Sequence, residues 1–445
     1  MLRFRRLVHT AIKKDILVVG GGPAGLSLVT ALKNSALTRH LDVAVVDGQP
    51  IVERLGNWAA NNKTTEFENR VISVTPGSVS FLEKIGAWEN VVHERTLAYD
   101  EMMIWDGESG ARIEFDAFDS ATGTVATMIE NSNVQQALLN TGNTRDTVIQ
   151  AQVEKIHTVN GLPTVKLNNG IEIEARLLVG ADGQNSPVRQ FAGITTEGWD
   201  YSRHGVVATM HLEFDDFKQT AYQRMLKTGP LAFLPLPNAT ATLVWSTYPE
   251  RAQWLKQLEP QAFTAMVNAG VRLDMADLDY LHSLDPKNTD EIIYEVTWRL
   301  NTLDEDDTLP TRVESIVPKS VASFPLKLRQ ADEYISERVA LVGDAAHATH
   351  PLTGQGLNMG QRDVAALVAA LELAVSRGLD IGSLDALEPY PRRAYLQNQL
   401  LLGVNDSLYK LYSTDCEPIV RLRTLGVQVL NKLGFVKNKL VEMAD

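Results

Sequence analysis

A glycine-rich turn between an apolar strand and a helix is the feature that most constrains the fold of this chain. The β-branched segment DILVVG (15–20) predicts a buried strand, and PAGLSLVTALKN (23–34) predicts a helix with Pro in its first turn. The turn between them has the glycine spacing GxGxxG, and a second apolar segment, VAVVD, ends at Asp47. This order of strand, glycine turn, helix and strand predicts a nucleotide-binding βαβ unit.

Each glycine of such a turn has a physical task. Gly20 permits a tight turn, Gly22 lets the backbone approach a pyrophosphate, and Gly25 lets the helix pack closely on the strand. Free N–H groups at the helix N-terminus face phosphate, and Asp47 at a strand end accepts hydrogen bonds from ribose hydroxyls. The alternative is a glycine turn that binds nothing. We assign six residues to cofactor binding: Gly20, Gly22, Pro23, Ala24, Gly25 and Asp47.

Two more glycine motifs follow apolar strands later in the chain. GADGQNSPVR (180–189) follows RLLVG, so Asp182 is expected to face the same nucleotide crevice as the first turn. GDAAHATHPLTGQGLN (343–358) follows the strand RVALV. His347 and His350 have the spacing of a metal-binding pair, but no third ligand is signalled and we expect no metal.

The three motifs, in this order, resemble those of the para-hydroxybenzoate-hydroxylase superfamily of single-component flavin monooxygenases. The resemblance implies an α/β fold, with a Rossmann-like FAD-binding lobe interleaved with a mixed antiparallel-sheet substrate lobe and a helical C-terminus. It implies FAD as the cofactor and O₂ as a substrate. One oxygen atom would pass through a flavin C4a-hydroperoxide to a ring carbon ortho to a phenol.

The same resemblance assigns roles within the third motif. Gly343 and Asp344 are both expected to bind the cofactor, and Asp344 matches the residue that holds the ribityl chain of FAD. The loop Gly354–Asn358 is expected beside the pyrimidine edge of the flavin, where a helix N-terminus stabilises negative charge on the reduced ring. The residues expected next to the reaction are Pro351, Gly356, Leu357 and Asn358, and Gly354, Gly356, Leu357 and Asn358 are also expected to bind the cofactor.

Three residues outside the motifs complete the candidate site. Arg70 is expected to contact a phosphate or ribose of the cofactor, and the alternative is a surface arginine. Asn131 takes the place of a flavin-contacting Gln of the superfamily, although it could equally cap a helix. Arg224 is a candidate for contact with the substrate or for gating, with a structural ion pair as its alternative.

Further segments are similar to the mitochondrial flavin monooxygenases of ubiquinone biosynthesis: NRVISVTPGS (69–78), QRMLKTGPLAFLP (223–235), LVWS (243–246), FPLKL (324–328) and LRTLG (422–426). This resemblance implies hydroxylation of a polyprenylated 4-hydroxybenzoate-type precursor at position 5. Tyr222 and Met225 stand where that family usually has Trp and Phe, and Thr353 replaces a common Ala. These departures leave the fine shape of the substrate pocket open.

The source of electrons is a separate question. The sequence has no second GxGxxG and therefore no separate NAD(P)H-binding fold. Either a nicotinamide docks transiently or a protein donates the electrons, and the resemblance implies a ferredoxin with its ferredoxin reductase. Other enzymes of ubiquinone biosynthesis are possible further partners.

Composition and charge limit the partners and the cellular compartment that suit this chain. The net charge of −13 disfavours nucleic acid as a partner, since an anionic duplex would be repelled. The single cysteine, Cys416, suits a reducing compartment. Residues 1–14 (MLRFRRLVHTAIKK) are basic, amphipathic and free of acids, as in a mitochondrial leader, and an ordinary frayed terminus is the alternative.

The C-terminal segment 400–443 combines apolar stripes with lysines and arginines. It could make peripheral contact with the matrix face of the inner membrane or with partner enzymes, or it could pack over the FAD lobe with basic solvent-facing edges.

The nucleotide-binding motifs are scattered, so we expect two interleaved lobes. The FAD-binding lobe is expected from 15–100, 125–195 and 335–390, the substrate lobe from 101–124 and 196–334, and the C-terminal helical region from 391–445. The β-rich stretch 204–250 predicts an antiparallel sheet. Its apolar residues would form either a wall of the substrate cavity or plain core: Leu231, Phe233, Leu234, Leu236 and Trp245.

Two rival functions stay open at this point. The first is a soluble, NAD(P)H-dependent hydroxylase of small phenolic acids, which would need no ferredoxin. The second is a non-catalytic binding module that has kept the dinucleotide fold, and such a protein would carry no yellow flavin.

Overall fold

A computed structural model describes residues 11–61, 67–117, 123–214, 219–304, 306–348, 354–414 and 416–432. The strands are β1 (Ile12–Val19), β2 (Val43–Asp47), β3 (Val71–Val74), β4 (Leu97–Tyr99), β5 (Glu101–Asp106), β6 (Arg112–Asp116), β7 (Ala126–Glu130), β8 (Val148–Gln150), β9 (Val153–Val159), β10 (Leu162–Leu167), β11 (Glu172–Gly180), β12 (Thr196–Leu212), β13 (Thr220–Leu226), β14 (Gly229–Leu236), β15 (Thr240–Thr247), β16 (Val313–Ile316), β17 (Ala322–Ala331), β18 (Ile335–Ser336), β19 (Val339–Leu341) and β20 (His347–Ala348). The α-helices are α1 (Pro23–Asn34), α2 (Ile51–Asn61), α3 (Pro76–Lys84), α4 (Asn131–Asn140), α5 (Pro187–Phe191), α6 (Pro249–Leu255), α7 (Pro260–Arg272), α8 (Met275–Leu281), α9 (Thr289–Leu300), α10 (Gly356–Ser376), α11 (Leu384–Leu387), α12 (Pro389–Tyr412) and α13 (Glu417–Lys432).

The first sheet is built around parallel strands in the order β19, β11, β1, β2 and β8. Val19 at the end of β1 is paired with Val46 and with Gly180, and Gly180 is paired with Leu341. The carboxyl ends of these strands therefore lie at one edge of the sheet. Because the strands are buried on both faces, they are apolar along their length, which is why each glycine motif follows an apolar run.

The predicted helix 23–34 is confirmed as α1, but two other expectations need correction. The sequence of residues 69–86 also predicts a single helix, whereas the structure has strand β3 followed by α3. Three β-branched residues favour the strand, and Pro76 begins the helix. Strand β1 also begins at Ile12, so 12–14, which we place in the leader, belong to the sheet. Residues 1–10 of the leader lie outside the described part of the chain.

The second sheet is mainly antiparallel, in the order β20, β17, β12, β15, β14, β13, β5 and β6, with β16 beside β12. One of its faces packs against α7 and α9 and forms a separate core. Side chains alternate between the two faces of a strand, so Leu231, Phe233 and Trp245 lie in this core. Leu234 and Leu236 point the other way, toward the FAD-binding lobe, and pack with residues of the small sheet β3, β7 and β4. The five residues predicted to form one wall of the substrate cavity therefore lie on opposite faces of the second sheet.

The C-terminal helices pack against both lobes. Helix α12 packs against α10, and α13 lies on β6. The guanidinium of Arg423 forms two hydrogen bonds to the carboxylate of Asp106, at 2.9 and 3.0 Å, and both side chains are 1% exposed. No helix in the described ranges is long and apolar enough to cross a membrane.

Candidate active site

The turns after β1, β11 and β19 are packed against one another. A Cβ at Gly20, whose φ is +106°, would lie 2.2 Å from the carbonyl oxygen of Ala181. A Cβ at Gly343 would lie 3.3 Å from the Cβ of Ala24 at the start of α1. Glycine is therefore required where the three motifs meet, and the structure brings Gly20, Asp182 and Gly343 to one edge of the first sheet.

The N-terminus of α1 is open for a ligand. Gly22 occupies the N-cap position and provides no side-chain cap for the first N–H groups. A Cβ at Gly22 would meet no described atom within 4 Å. Uncapped N–H groups beside open space form an anion site, because the helix dipole adds positive potential there.

Asp47 orders the same turn. Its carboxylate accepts the N–H of Gly21 at 2.7 Å and the N–H of Gln49 at 2.7 Å. The amide of Gln135 on α4 donates to the carbonyl of Gly21 at 3.0 Å. The glycine turn is thus held from two sides, and Asp47 stands half-buried at the strand end, as the sequence predicts.

One carboxylate oxygen of Asp182 accepts a hydrogen bond within the described part of the protein, and the other does not. The first accepts the N–H of Val188 at 3.1 Å, whereas the second is buried without a hydrogen-bond partner among the described residues. Burial raises the pKa of Asp182 and outweighs the hydrogen bonds and nearby Arg189, which lower it. Arg189 spans two motifs, since it donates to the carbonyls of Gln184 and Ala345, both at 2.7 Å.

Asp344 follows β19 and is exposed toward the crevice. Burial by the surrounding protein nevertheless raises its pKa, while the neighbouring His347 lowers it. The side chain thus keeps accessible surface although much of the carboxylate is surrounded by protein. Such a carboxylate is poised to accept a hydrogen bond from a ligand hydroxyl.

The start of α10 is tied to β3 by Asn358. The side chain of Asn358 accepts the N–H of Thr75 at 3.1 Å and donates to the carbonyl of Ser73 at 2.9 Å. A Cβ at Gly354 would lie 3.6 Å from the Cβ of Ser73. Asn358 is only 1% exposed, so its side chain fixes the loop. Half-buried Gly356 and Leu357 lie beside it, and Pro351 lies outside the described residues.

Arg70 and Asn131 are neighbours. The carbonyl of Arg70 accepts the N–H of Asn131 at 2.9 Å, and the Arg70 side chain is exposed. The side-chain oxygen of Asn131 is buried and has no hydrogen-bond partner in the described ranges. Asn131 opens α4 without forming a side-chain cap, so the capping alternative is not observed.

Arg224 lies away from this crevice. It points to the helix-packed face of the second sheet and donates to the carbonyls of Gly270 at 2.9 Å and Gly107 at 3.2 Å. Burial lowers its pKa to about 10. Both observations describe a structural residue that joins the sheet to α7.

The opposite face of the second sheet turns toward the FAD-binding lobe. Its Val207 and Val244 are paired across β12 and β15 and are half-buried, whereas Val206 and Trp245, which point to the core, are 0% and 1% exposed. Thr209 on this face donates to the side chain of Asn69 at 3.3 Å, next to Arg70. An apolar surface therefore adjoins the crevice.

Sequence reasoning overlooked Asp363 and Asn398, which lie beneath the third turn. Asp363 is 0% exposed and contacts His347, and its second oxygen accepts a hydrogen bond from Asn398 at 2.8 Å. A lone acid in the apolar run DVAALVAAL was the available signal, because an isolated buried acid needs partners.

These residues fit FAD. Several elements carry buried polar atoms that have no hydrogen-bond partner within the described chain, including one carboxylate oxygen of Asp182 and the side-chain oxygens of Asn131 and Gln355. The N-terminus of α10 also lacks a side-chain cap, like that of α1. Two open helix N-termini, free acceptors and a glycine without steric neighbours form a cradle for an anionic dinucleotide.

Comparison with known proteins agrees with this geometry. The model of the FAD binding domain family matches residues 13–390. The mitochondrial ubiquinone biosynthesis monooxygenase COQ6 of Saccharomyces cerevisiae is 43% identical over 451 residues, covering 96% of this chain and 93% of that protein. Its human counterpart is 34% identical over 445 residues, covering 97% and 92%.

Solved structures show the same fold. The p-nitrophenol 4-monooxygenase PnpA of Pseudomonas putida has a TM-score of 0.69 at 17% identity, covering 98% of this chain and 99% of that one. PqsL, a probable FAD-dependent monooxygenase of Pseudomonas aeruginosa, has a TM-score of 0.67 at 21% identity, covering 93% and 99%.

The match to the FAD binding domain family and the similarity to the COQ6 proteins together identify the chain as an FAD-dependent monooxygenase. Within that class, the chain belongs to the family of mitochondrial ubiquinone biosynthesis monooxygenases. The predictions of fold, cofactor and enzyme class are confirmed, as is the coarse mitochondrial assignment.

Proposed function

We propose that this enzyme hydroxylates position 5 of a polyprenylated 4-hydroxybenzoate-type precursor, with FAD and O₂. The observation that carries the proposal is the convergence of three strand-end turns on a crevice that adjoins the apolar face of the second sheet. FAD, when bound, would accept electrons from the donor and pass them to O₂, which activates the oxygen. The protein holds the cofactor, orients the phenol and excludes water.

Each turn has a proposed task in holding FAD. The α1 N-terminus at Gly22 receives the pyrophosphate, and Asp47 receives a ribose hydroxyl. Asp182 offers its free carboxylate oxygen, and Asp344 accepts a hydroxyl of the ribityl chain. Further contacts are proposed for Arg70, Asn131, and the residues Gly354, Gly356, Leu357 and Asn358.

The start of α10 is proposed to act on the flavin ring. Its uncapped N–H groups carry positive helix-end potential, which favours negative charge developing on the ring. Pro351, Gly356, Leu357 and Asn358 would border the reacting atoms. The side chain of Asn358 acts through the backbone of β3, by keeping the loop in place.

The apolar face bearing Val207, Leu234 and Val244 is proposed as the wall that the ring and the prenyl tail contact. A dry wall favours the tail by removing apolar surface from water. It also keeps water from intercepting the activated oxygen before transfer. The half-buried state of all three residues leaves surface available for such contact.

We propose that electrons arrive from a ferredoxin and its reductase. The support is that the sequence contains one GxGxxG motif, which lies in the FAD-binding lobe. No second motif of this kind is left to bind NAD(P)H. We further propose peripheral binding at the matrix face of the inner membrane, with other ubiquinone-biosynthesis enzymes as partners.

The support for membrane binding is the outer face of α12. Its exposed apolar residues are 36–63% accessible and comprise Leu396, Leu400, Val404, Leu408 and Leu411. The exposed charged residues of α12 are Arg392, Arg393 and Lys410, of which Arg392 pairs with Glu388 and Lys410 pairs with Asp406. Apolar and cationic side chains together suit an anionic bilayer surface. Leu400→Glu should reduce co-sedimentation with anionic vesicles, whereas Leu384→Glu on α11 should not; equal binding by both variants would contradict this placement.

Product analysis tests the proposed reaction. Purified enzyme receives a prenylated 4-hydroxybenzoate with either ferredoxin, ferredoxin reductase and NADPH, or NADPH alone. We expect the 5-hydroxylated product with the first supply. Equal product with NADPH alone would overturn the donor, and turnover of small phenolic acids only would overturn the substrate.

A further inference from the structure

A buried contact between a histidine and a carboxylate lies directly beneath the turn that carries Asp344. The Nε2 atom of His347 is 2.6 Å from the Oδ2 atom of Asp363, and the two side chains are 1% and 0% exposed. The same carboxylate oxygen accepts the N–H of Gly343 at 2.9 Å. Asp363 on α10 therefore binds both ends of the turn 343–347, and Asp344 lies between these two attachment points.

The third attachment comes from α12. The other oxygen of Asp363 accepts the amide N–H of Asn398 at 2.8 Å, and Asn398 is 1% exposed. The partners of this carboxylate among the described residues are all buried, and His347 and Asn398 are not among the proposed contacts with FAD. A carboxylate kept in such a place needs a positive partner, since an unpaired buried charge is strongly unfavourable.

The side chain of His347 lies between two acids, Asp363 and Asp344, and both acids influence its pKa. Burial lowers the pKa of His347, but the carboxylates of Asp363 and Asp344 and the hydrogen bond outweigh burial and raise it. His347 in turn lowers the pKa of Asp344. The groups facing His347 are the carboxylates of Asp344 and Asp363, the guanidinium of Arg362, and the ring of Tyr334 at 5.8 Å, while Asn398 and Tyr390 of α12 face Asp363.

We infer that His347 is a positioning residue for the cofactor: its imidazolium, held by Asp363, fixes the turn and keeps Asp344 as the carboxylate that binds FAD. The cation also offsets two acids beside a ligand whose diphosphate is negative. Proton binding at His347 and FAD binding are therefore linked, and each favours the other. The inference rests on the proposed contact between Asp344 and FAD.

The test measures release of FAD from the holoenzyme on dilution, followed by recovery of free-flavin fluorescence. It runs from about pH 6 to about pH 9, a range that starts near the ordinary pKa of histidine and extends above it, because the pKa of His347 is raised. Wild-type enzyme should release FAD more readily as pH rises. H347Q should bind FAD about tenfold more weakly at the lower pH, because the residue that supports the ligand-binding turn loses its charged contact with Asp363. Its affinity for FAD should no longer depend on pH.

A second buried histidine is the matched control. Burial lowers the pKa of His282 in the substrate lobe to about 3, so it is neutral throughout the range, and H282Q should keep the wild-type pH profile. If H347Q is too unstable to purify with flavin, NMR titration of wild-type holoenzyme replaces it. The His347 ring should then lose its proton above the ordinary value of 6.5.

Two variants separate the role of His347 from that of Asp344. If D344N weakens FAD binding but H347Q keeps the wild-type pH profile, the role of His347 is overturned. A ring that titrates below its ordinary value overturns it equally. If D344N itself leaves FAD binding unchanged, the proposed contact of Asp344 with the cofactor is wrong.

Discussion

The carbonyl oxygen of Ala181 lies 2.2 Å from the position that a Cβ on Gly20 would occupy. This approach joins the turn after β1 to the turn after β11, and it holds only because Gly20 has no side chain and adopts a φ of +106°. The glycines of the first motif therefore have two different tasks, and substitutions separate them.

Gly20→Ala should destabilise the protein itself. The new methyl group meets backbone atoms of Ala181 and Asp182, and a positive φ is unfavourable for alanine. We expect a loss of about 3 kcal/mol or more in the free energy of unfolding, with or without added FAD. Thermal unfolding measures this loss, and a variant as stable as the wild type would contradict the packing of the two turns.

Gly22→Ala should affect ligand binding alone. Its Cβ would meet no described atom within 4 Å, and the φ of −70° suits alanine. Without FAD, the free energy of unfolding should stay within about 0.5 kcal/mol of the wild type. Affinity for FAD should fall, because the methyl group enters the space proposed for pyrophosphate. Unchanged FAD affinity would show that this space is not used.

Asp344→Ala should lower the flavin content of the purified protein. The Asp344 side chain is exposed to the crevice, so its removal should leave the unfolding temperature without FAD nearly unchanged. The flavin-to-protein absorbance ratio checks the loss, and Asp332→Ala, an exposed acid between β17 and β18, serves as the control. Equal flavin content in both variants would refute the proposed ribityl contact.

Arg423→Gln should release α13 from the second sheet. The substitution leaves the buried carboxylate of Asp106 unpaired, which costs about 3–5 kcal/mol. Arg421→Gln is the matched control, because its ion pair with Glu417 is exposed and contributes little. Limited proteolysis and thermal unfolding distinguish the two; similar behaviour would mean that the Arg423 pair does not hold the helix.

Arg224→Met should reduce stability without changing the KM for the phenolic substrate in the enzyme that remains folded. Arg224 binds two backbone carbonyls on the helix-packed face of the sheet, so its loss leaves buried acceptors unsatisfied. A raised KM at wild-type stability would contradict the structural role and support a contact between Arg224 and the substrate.

The sequence predicts the strand-end turns well, for a physical reason. A parallel strand buried on both faces must be apolar, and the turn that follows it must contain glycine where backbones touch. Both requirements are local, and so Gly20, Asp47, Asp182 and Asp344 are recognisable from the order of residues alone.

Other features depend on pairing between distant segments. Arg224 and Gln223 are adjacent in sequence but point to opposite faces of β13, and only the strand register decides which faces the crevice. Ile12–Lys14 join β1 because β11 extends far enough to pair with them, as in Lys13 with Glu174. The link from His347 through Asp363 to Asn398 spans three elements, and no local pattern fixes it.

The proposed function depends on three distant turns forming one FAD site beside an apolar chamber. A crystal structure of the FAD-loaded enzyme tests this arrangement most directly. We predict one FAD with its diphosphate at Gly22, its ribityl chain at Asp344 and its ring between the start of α10 and the sheet face bearing Val244. A flavin ring bound on the helix-packed face near Arg224, or a cofactor that misses Asp182 and Asp344, would contradict it.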